Sequence, residues 1–335
     1  MAVAPEIRDR LSLPAICAPM FMVTGPTLIT EACKAGVVGG LPRQNARSFE
    51  EFVGWLKQIR TDLDRHADIH PEAKIAPIAV NISRQYGEEE FQRTLDACFA
   101  HGVEIFVTVG GDPTATVRQV HDRGGKVFHD VTTMRFAEKA IAADCDGLTC
   151  IGAGGGGHSG TISHLAFVPQ VRAIYDGTIV MAGAISTGAA IRAAEILGAD
   201  LAYLGTRFIA TQESDAPQAY KDLLVSQTSN GLIYTPQVAG VAANWIVESL
   251  CMAGLDPSDL PQPIGKGMRH DHLPDHAKPW VNLWSAGQGI DLISDIPTVA
   301  ELASRLRREY IGACRTGSLE EAALLAEQAM DAAKL

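Results

Sequence analysis

An excess of basic residues is absent from this 335-residue chain, which has 28 Lys and Arg against 39 Asp and Glu and a formal net charge of −11. A chain of this charge is a poor partner for the phosphates of nucleic acids or for anionic membrane surfaces. Only 20% of the residues are charged, whereas 47% are hydrophobic. A chain of this length and apolar content can bury a large core. We therefore expect a globular protein without a nucleic-acid partner.

Paired cysteines, a long apolar run and a secretory leader are also absent. The 7 cysteines are scattered and form no C-x-x-C pair, which predicts free thiols and gives no support to a structural zinc site. No apolar run approaches the roughly 20 residues of a membrane span. Charged residues interrupt positions 1–14, where a signal peptide would be apolar. The expectation is a cytoplasmic protein that does not associate with membranes.

Several widespread motifs do not occur. No G-x-G-x-x-G opens a strand–helix unit, and there is no G-x-S-x-G, Walker A or H-E-x-x-H motif, which argues against a dedicated Rossmann domain and the corresponding hydrolase and protease classes. Three histidines, His270, His272 and His276, do cluster with Asp271 and Asp275. Because this cluster lies in a proline-rich loop and not on one helical face, a solvated loop is favoured over a metal site.

Eight short apolar runs are present, and each is typical of a strand buried on both faces of a parallel sheet. They occupy residues 15–19, 37–41, 75–81, 104–109, 126–131, 147–151, 178–182 and 201–205. Amphipathic segments lie between them, for example residues 48–64, 88–101, 132–143 and 187–197. Eight strand–helix units over about 200 residues predict an α/β fold of the (β/α)8, or TIM, barrel type.

The pattern changes after the eighth run. Residues 209–280 contain helical stretches at 218–226 and 244–253, followed by a loop rich in Pro, His and Gly. We interpret 209–280 as a helical insertion in the last loop of the barrel, at the face where barrel active sites lie, and hence as a lid. Helical patterns at 298–310 and 318–333 predict that residues 281–335 rejoin residues 1–208 to complete the barrel.

Residues that follow the barrel strands are the candidates for chemistry, because the carboxyl ends of the strands form the active face. The sixth run is followed by residues 152–157, which contain five glycines, and then by His158. Glycine lets backbone N–H groups approach a ligand closely. A flexible surface loop is the alternative, but a glycine tract directly before a histidine at this end favours a ligand and gives His158 a catalytic or substrate-contacting role.

The ends of the seventh and eighth runs predict an anion site. Ala182, Gly183 and Ala184 precede a helix, and Gly205 is followed by the hydroxyl of Thr206. Backbone amides after strands seven and eight bind phosphate in many barrels without the help of lysine. Tight packing of helix on strand would account for Gly183 alone, but it does not account for both strand ends. The pattern favours a phosphorylated cofactor.

Several of these segments together resemble the nitronate monooxygenase family, formerly called 2-nitropropane dioxygenases. The matching segments are LPAICAPM at 13–20, AVN at 79–81, GGGGHSG at 154–160, the stretch 180–208 and WSAGQG at 284–289. Their order and spacing along nearly the whole chain make the resemblance specific. It implies an FMN-binding barrel with the flavin ring at the mouth and His158 as the catalytic histidine.

The resemblance also implies a set of cofactor-binding residues, which are Ala18, Pro19, Met20, Asn81, Asp130, Gly156, Gly157, Ala182, Gly183, Ala184, Gly205, Thr206 and Gln288. One of them departs from the family pattern. Some members carry a lysine at the end of the fifth strand, where this chain has Asp130, and a carboxylate there would disfavour an anionic reduced flavin. Lys126, at the opening end of the same strand, is not an obvious substitute.

The activity implied by the resemblance is oxidation of alkyl nitronates, and of nitroalkanes through His158 as base, with O2 to a carbonyl compound and nitrite. An alternative on the same fold is reduction of FMN by NADH or NADPH and transfer of the hydride to a quinone or an enoyl thioester. A third interpretation, a barrel that has lost its flavin and serves as a binding protein, is disfavoured by the glycines at the strand ends. A homodimer is compatible with the sequence.

Overall fold

A closed barrel of eight parallel strands forms the centre of the protein, in a computed structural model that describes residues 2–265 and 267–315. The strands are β1 (Ala15–Cys17), β2 (Val38–Pro42), β3 (Ile78–Asn81), β4 (Ile105–Val109), β5 (Lys126–Val131), β6 (Gly147–Ile151), β7 (Thr178–Ala182) and β8 (Leu201–Leu204). They pair in chain order, and β1 closes the barrel by pairing with β8, with Ile16 opposite Tyr203. The predicted (β/α)8 fold is confirmed.

Helix α1 (Pro5–Arg8) precedes β1, and the other helices follow the strands as the alternation predicts. They are α2 (Pro26–Lys34), α3 (Phe49–Ile69), α4 (Glu88–Ala100), α5 (Thr114–His121), α6 (Met134–Ala142), α7 (His164–Arg172) and α8 (Gly188–Ile196). A threonine caps the start of two of them. The side chain of Thr133 accepts a hydrogen bond from the N–H of Phe136, and that of Thr187 accepts one from Ala190, so each satisfies a donor that the first helical turn leaves free.

The core has an outer layer between strands and helices and an inner layer inside the barrel. Strand residues such as Ile105, Val180 and Leu201 fill the interior together with Val3 and Ile7 from the N-terminal segment and α1. Helix α1 therefore covers the amino-terminal end of the barrel. The seven cysteines form no disulfide, and five of them are buried. Within residues 2–265 and 267–315, no helix combines the length and apolarity needed to cross a membrane.

The insertion after β8 is only partly helical. It contains α9 (Thr206–Ile209), α10 (Gln218–Ser226), β9 (Leu232–Thr235), β10 (Ala243–Ile246) and α11 (Val247–Met252). The prediction of a helix over residues 244–253 is wrong for its first part, because Asn244 pairs with Tyr234 across an antiparallel β9–β10 sheet. Residues 284–286 hydrogen-bond to β10, so the insertion continues past the predicted boundary at residue 280.

The chain then returns to the helix ring. Helix α12 (Val299–Arg315) contains most of the predicted helix at 298–310 and packs against α8. The N–H of Gly188, at the start of α8, donates to the carboxylate of Glu309 at 2.7 Å. The predicted helix at 318–333 lies outside the described residues. Because α12 follows the whole insertion, the last two elements of the ring come from distant parts of the chain.

Candidate functional site

A cavity of about 710 Å³ opens at the carboxyl end of the barrel, between the strand ends and the insertion. Nearly every residue predicted for the site lies on its wall, namely Ala18, Pro19, Met20, Asn81, Asp130, Gly156, Gly157, His158, Ala182, Gly183, Ala184, Gly205 and Thr206. They come from six of the eight strand ends and are brought together by barrel closure. The volume is in the range of about 300–1,000 Å³ that small-molecule and cofactor sites occupy.

Gln288 is the predicted site residue that does not line this cavity. It begins a short 3-10 helix, Gln288–Leu292, and its side chain is exposed. Its backbone N–H donates to the carbonyl of Gly154 at 2.9 Å. The backbone of Gln288 thus holds the glycine segment in place, and its role in cofactor binding stays a prediction.

Close backbone packing explains some of the glycines. A Cβ on Gly156 would lie 2.7 Å from the nitrogen of Gly287, and a Cβ on Gly183 would lie 2.9 Å from the nitrogen of Gly155. Gly183 also has a φ of +116°, which side chains disfavour. Tight packing is therefore a sufficient reason for these two positions. Gly157 differs, because no atom lies within 4 Å of the place of its Cβ. The space beside this glycine is therefore open to a ligand.

Unpaired backbone donors lie at the end of β7. Within the described part of the chain, the N–H groups of Ala184 and Ile185 have no protein acceptor, and both residues line the cavity. The hydroxyl oxygen of Thr206 accepts a hydrogen bond from the N–H of Gly287 at 2.9 Å, which leaves its own proton free to donate. No lysine or arginine is among the described residues that line the cavity. These backbone and hydroxyl donors are suited to a phosphate.

His158 lies in the loop after β6 and is held by the insertion. It forms an antiparallel bridge with Ala243, and its ring stands edge-on to Trp280 with centroids 5.4 Å apart. Its Nε2 is buried and has no hydrogen-bond partner among the described residues. Burial lowers the pKa of His158 below its usual 6.5, because desolvation disfavours the charged ring. At neutral pH the imidazole is neutral and able to accept a proton.

Asp130 is the acidic group on the cavity wall. Its Oδ1 is buried without a hydrogen-bond partner among the described residues. Burial raises the pKa of Asp130 from 3.8 to about 7, and the Thr149 side chain opposes part of that shift. The neighbouring His129 also reaches the cavity, but its Nδ1 is 2.8 Å from the Thr108 hydroxyl, and burial lowers its pKa.

Sequence reasoning missed the aromatic and apolar residues of the cavity. Tyr203, Tyr220 and Trp280 line its interior. Large side chains that are 40–64% exposed stand around the mouth, namely Phe21, Tyr86, Val109, Phe136 and Met268. Position at the end of a strand could have indicated two of them, because Val109 ends β4 and Phe21 follows Met20 after β1. Trp280 and Met268 gave no signal, because they lie far along the insertion and reach the cavity only through its fold.

Comparisons with known proteins identify a family for this chain. The nitronate monooxygenase family model matches residues 56–309. A nitronate monooxygenase of Paraburkholderia phytofirmans is 26% identical over 88% of this chain and 92% of its own length. A putative monooxygenase of Mycobacterium tuberculosis, Rv1533, is 28% identical over 52% of this chain. In that match the chain spans 47%, about half, of the relative's length.

Solved structures share the fold. FabK of Thermotoga maritima superposes with a TM-score of 0.73 at 21% identity, over 93% of this chain and 97% of that one. A nitroalkane oxidase of Streptomyces ansochromogenes gives 0.70 at 23% identity, over 91% and 97%. At this identity the structures bear on the fold alone, whereas the family model covers most of the chain. The protein therefore belongs to the nitronate monooxygenase family of flavin-dependent oxidoreductases.

Proposed function

We propose that this protein is an FMN-dependent nitronate monooxygenase that oxidises alkyl nitronates, and nitroalkanes after deprotonation, with O2 to a carbonyl compound and nitrite. The observation that carries the proposal is the buried, unpartnered Nε2 of His158 on the wall of the cavity. A neutral imidazole there can accept a proton near neutral pH. Membership of the family gives the reaction class, and His158 gives the position of the proton transfer.

The residues that line the cavity fit FMN. The free N–H groups of Ala184 and Ile185 and the hydroxyl of Thr206 would hold the phosphate. Ala18, Pro19, Met20 and Asn81 also line the cavity and would contact the ring. When bound, FMN supplies the two-electron redox chemistry that no protein side chain provides. The protein's own contribution is binding, orientation and control of protons.

His158 has two tasks in this proposal. For a neutral nitroalkane, Nε2 accepts the proton on the carbon next to the nitro group. The imidazolium that results then faces the anionic nitronate in a cavity whose described lining has no lysine or arginine. Attraction between the two charges is strong in a site shielded from water. A nitronate supplied as such needs no base, so the proton transfer to His158 drops out for this substrate.

The lining also bears on the alternative substrate, NADH or NADPH. A dinucleotide carries a pyrophosphate, which needs more donors than a single phosphate group. The unpaired donors of this cavity at Ala184 and Ile185 suffice for one phosphate group, and FMN has one. This small number of unpaired donors supports a small nitronate over a pyridine nucleotide as the reductant.

An anaerobic mixing experiment tests the proposal. Purified protein is loaded with FMN, mixed with ethylnitronate, NADH or NADPH under anaerobic conditions, and followed at about 450 nm in a stopped-flow instrument. We expect rapid bleaching by the nitronate and slow or no bleaching by either nucleotide. A flavin that stays oxidised with nitronate but bleaches rapidly with NADH or NADPH would overturn the proposal in favour of the reductase activity.

A further inference from the structure

Asp130 is a buried acid that the proposed reaction does not use. It lies near the carboxyl end of β5, lines the cavity, and has an Oδ1 without surface exposure or hydrogen-bond partner among the described residues. Buried carboxylates in folded proteins are almost always paired with a cation or with several donors, because an unpaired buried charge is costly. An unpaired carboxyl on a cavity wall is therefore ready to become neutral.

The groups that face Asp130 from the surrounding strands do not neutralise its charge. Thr149 is its register partner on β6, and Val109 is its partner on β4. Across the barrel, Tyr203 on β8 and Cys17 on β1 have pKa values raised well above their usual ranges by burial, so both are uncharged. Within the same cavity, His129 and His158 have pKa values lowered by burial, so neither is a cation at neutral pH.

We propose that Asp130 takes up one proton from solvent when the flavin cofactor binds and then donates its carboxylic O–H to the bound ligand. This inference rests on the proposed function. Two physical effects produce the uptake. The ligand displaces the water that hydrates the exposed part of the carboxylate, and the phosphate of the ligand adds negative charge to a cavity without a cationic side chain on its described lining. Both effects disfavour the ionised form.

The expected proton count depends on pH. In the empty cavity the pKa of Asp130 is about 7, so at pH 8 roughly 90% of the carboxyl groups are ionised and binding takes up close to one proton. At pH 5.5 nearly all are already protonated, and binding takes up almost none at this residue. The dissociation constant of FMN should consequently rise about tenfold per pH unit above pH 7.5.

Isothermal titration of the flavin-free full-length protein with FMN tests this inference. Titrations at pH 8 in phosphate and in Tris, whose ionisation enthalpies differ, give the number of protons exchanged on binding. We expect the wild type to take up about 0.9 proton for each FMN bound. The uptake by Asp130→Asn should be lower by about 0.9 proton. This variant mimics the protonated acid and should still bind FMN. Asp122→Asn, at an exposed carboxyl remote from the cavity lining, is the matched control and should behave as the wild type.

The outcomes separate the two proposals. Two results would overturn the role of Asp130 and leave the proposed function standing. One is equal proton uptake on FMN binding in the wild type and in Asp130→Asn. The other is an Asp130→Asn variant that folds but no longer binds FMN. A wild-type protein that neither binds FMN nor acquires its absorbance would overturn the proposed function itself. If Asp130→Asn does not fold, the dissociation constant of FMN from the wild type is measured between pH 7.5 and 9. A constant that does not change with pH in this range contradicts the inference.

Discussion

His158 and Asp130 show how burial alone assigns opposite protonation tendencies to two side chains in one cavity. Desolvation lowers the pKa of the histidine and raises that of the acid, because in each case the charged form loses hydration. At neutral pH the histidine is ready to accept a proton and part of the Asp130 population carries one. The position after a strand located His158 from the sequence and the family resemblance located Asp130, but their burial and lack of partners follow only from the three-dimensional packing.

Replacing His158 should separate its two tasks. We expect His158→Ala to lower kcat/KM for a neutral nitroalkane by roughly 10²–10⁴, the usual worth of a general base, and to lower it much less for the corresponding nitronate. Steady-state oxygen consumption with nitroethane and with ethylnitronate measures both. His70→Ala, at an exposed histidine on the end of α3, is the matched control. Equal losses for the two substrates would remove the base role.

Asp130 should make the stability of the flavin-free protein depend on pH. Its folded-state pKa, about 7, lies above its ordinary value of 3.8, so ionisation costs folding free energy. The cost is absent below about pH 4, grows between pH 4 and 7, and is complete above pH 7. Asp130→Asn removes it. We expect the variant to be more stable than the wild type by up to about 4 kcal/mol at pH 8 and by roughly 40% of that at pH 5.

Thermal unfolding at the two pH values measures this difference. A gain of about 4 kcal/mol corresponds to roughly 6 °C in Tm for a chain of this length. The comparison between pH values is the decisive quantity, since a change in packing would shift Tm equally at both. A variant whose advantage is the same at pH 5 and pH 8 would show that Asp130 is not the titrating group.

Elements with a strong local pattern were predicted closely, and elements held by distant partners were not. Strands β5, β6 and β7 begin and end where the apolar runs predict, because a strand buried on both faces is apolar throughout. Strand β10 was mistaken for the start of a helix. Its segment continues directly into α11, and only pairing with β9 and with residues 284–286 makes it extended. A local pattern contains no information about those partners.

Helix α8 docks on α12 through a glycine, and this contact gives a testable pair of variants. A Cβ on Gly188 would lie 2.1 Å from the carbonyl oxygen of Leu306 and 2.3 Å from the nitrogen of Tyr310. Because both are backbone atoms of α12, Gly188→Ala should force the helices apart and lower the free energy of unfolding by about 1–3 kcal/mol. Urea denaturation followed by circular dichroism measures it.

The same substitution elsewhere should have the opposite sign. Gly54 lies in the exposed interior of α3, with no atom within 4 Å of the place of its Cβ. Gly54→Ala should therefore stabilise the protein by roughly 0.5–1 kcal/mol, the usual preference for alanine over glycine inside a helix. If Gly188→Ala were neutral or stabilising like Gly54→Ala, the close approach of α8 to α12 would be contradicted.

At the scale of the whole molecule, barrel topology accounts for much of what could be predicted about the site. Once eight parallel strands are known, their carboxyl ends must share one face, and residues as distant as Ala18 and Thr206 become neighbours. The contribution of the insertion could not be obtained in this way. The insertion brings Trp280, Ser285 and Gly287 to the cavity. Its long irregular segments have no hydrophobic periodicity from which their structure could be predicted.

Flavin binding should stabilise the molecule as a whole, and its phosphate should matter. At 100 times its dissociation constant a ligand adds about 2.7 kcal/mol, which is roughly 4 °C in Tm for this chain length. We expect FMN to give this shift at a concentration where riboflavin, which lacks the phosphate, gives little, because the N–H groups of Ala184 and Ile185 lie unpaired on the wall. Differential scanning fluorimetry with both flavins measures the shifts, and equal shifts would contradict the phosphate site.

The cavity has a further consequence, for the way the protein is made. Its wall begins at Ala18 and ends at Gly289, and β1 closes the barrel only by pairing with β8. A ribosome must therefore release nearly all of the described chain before the wall is complete. Any ligand that needs the whole wall is therefore bound by a barrel that has already closed, and not by a shorter piece of the growing chain.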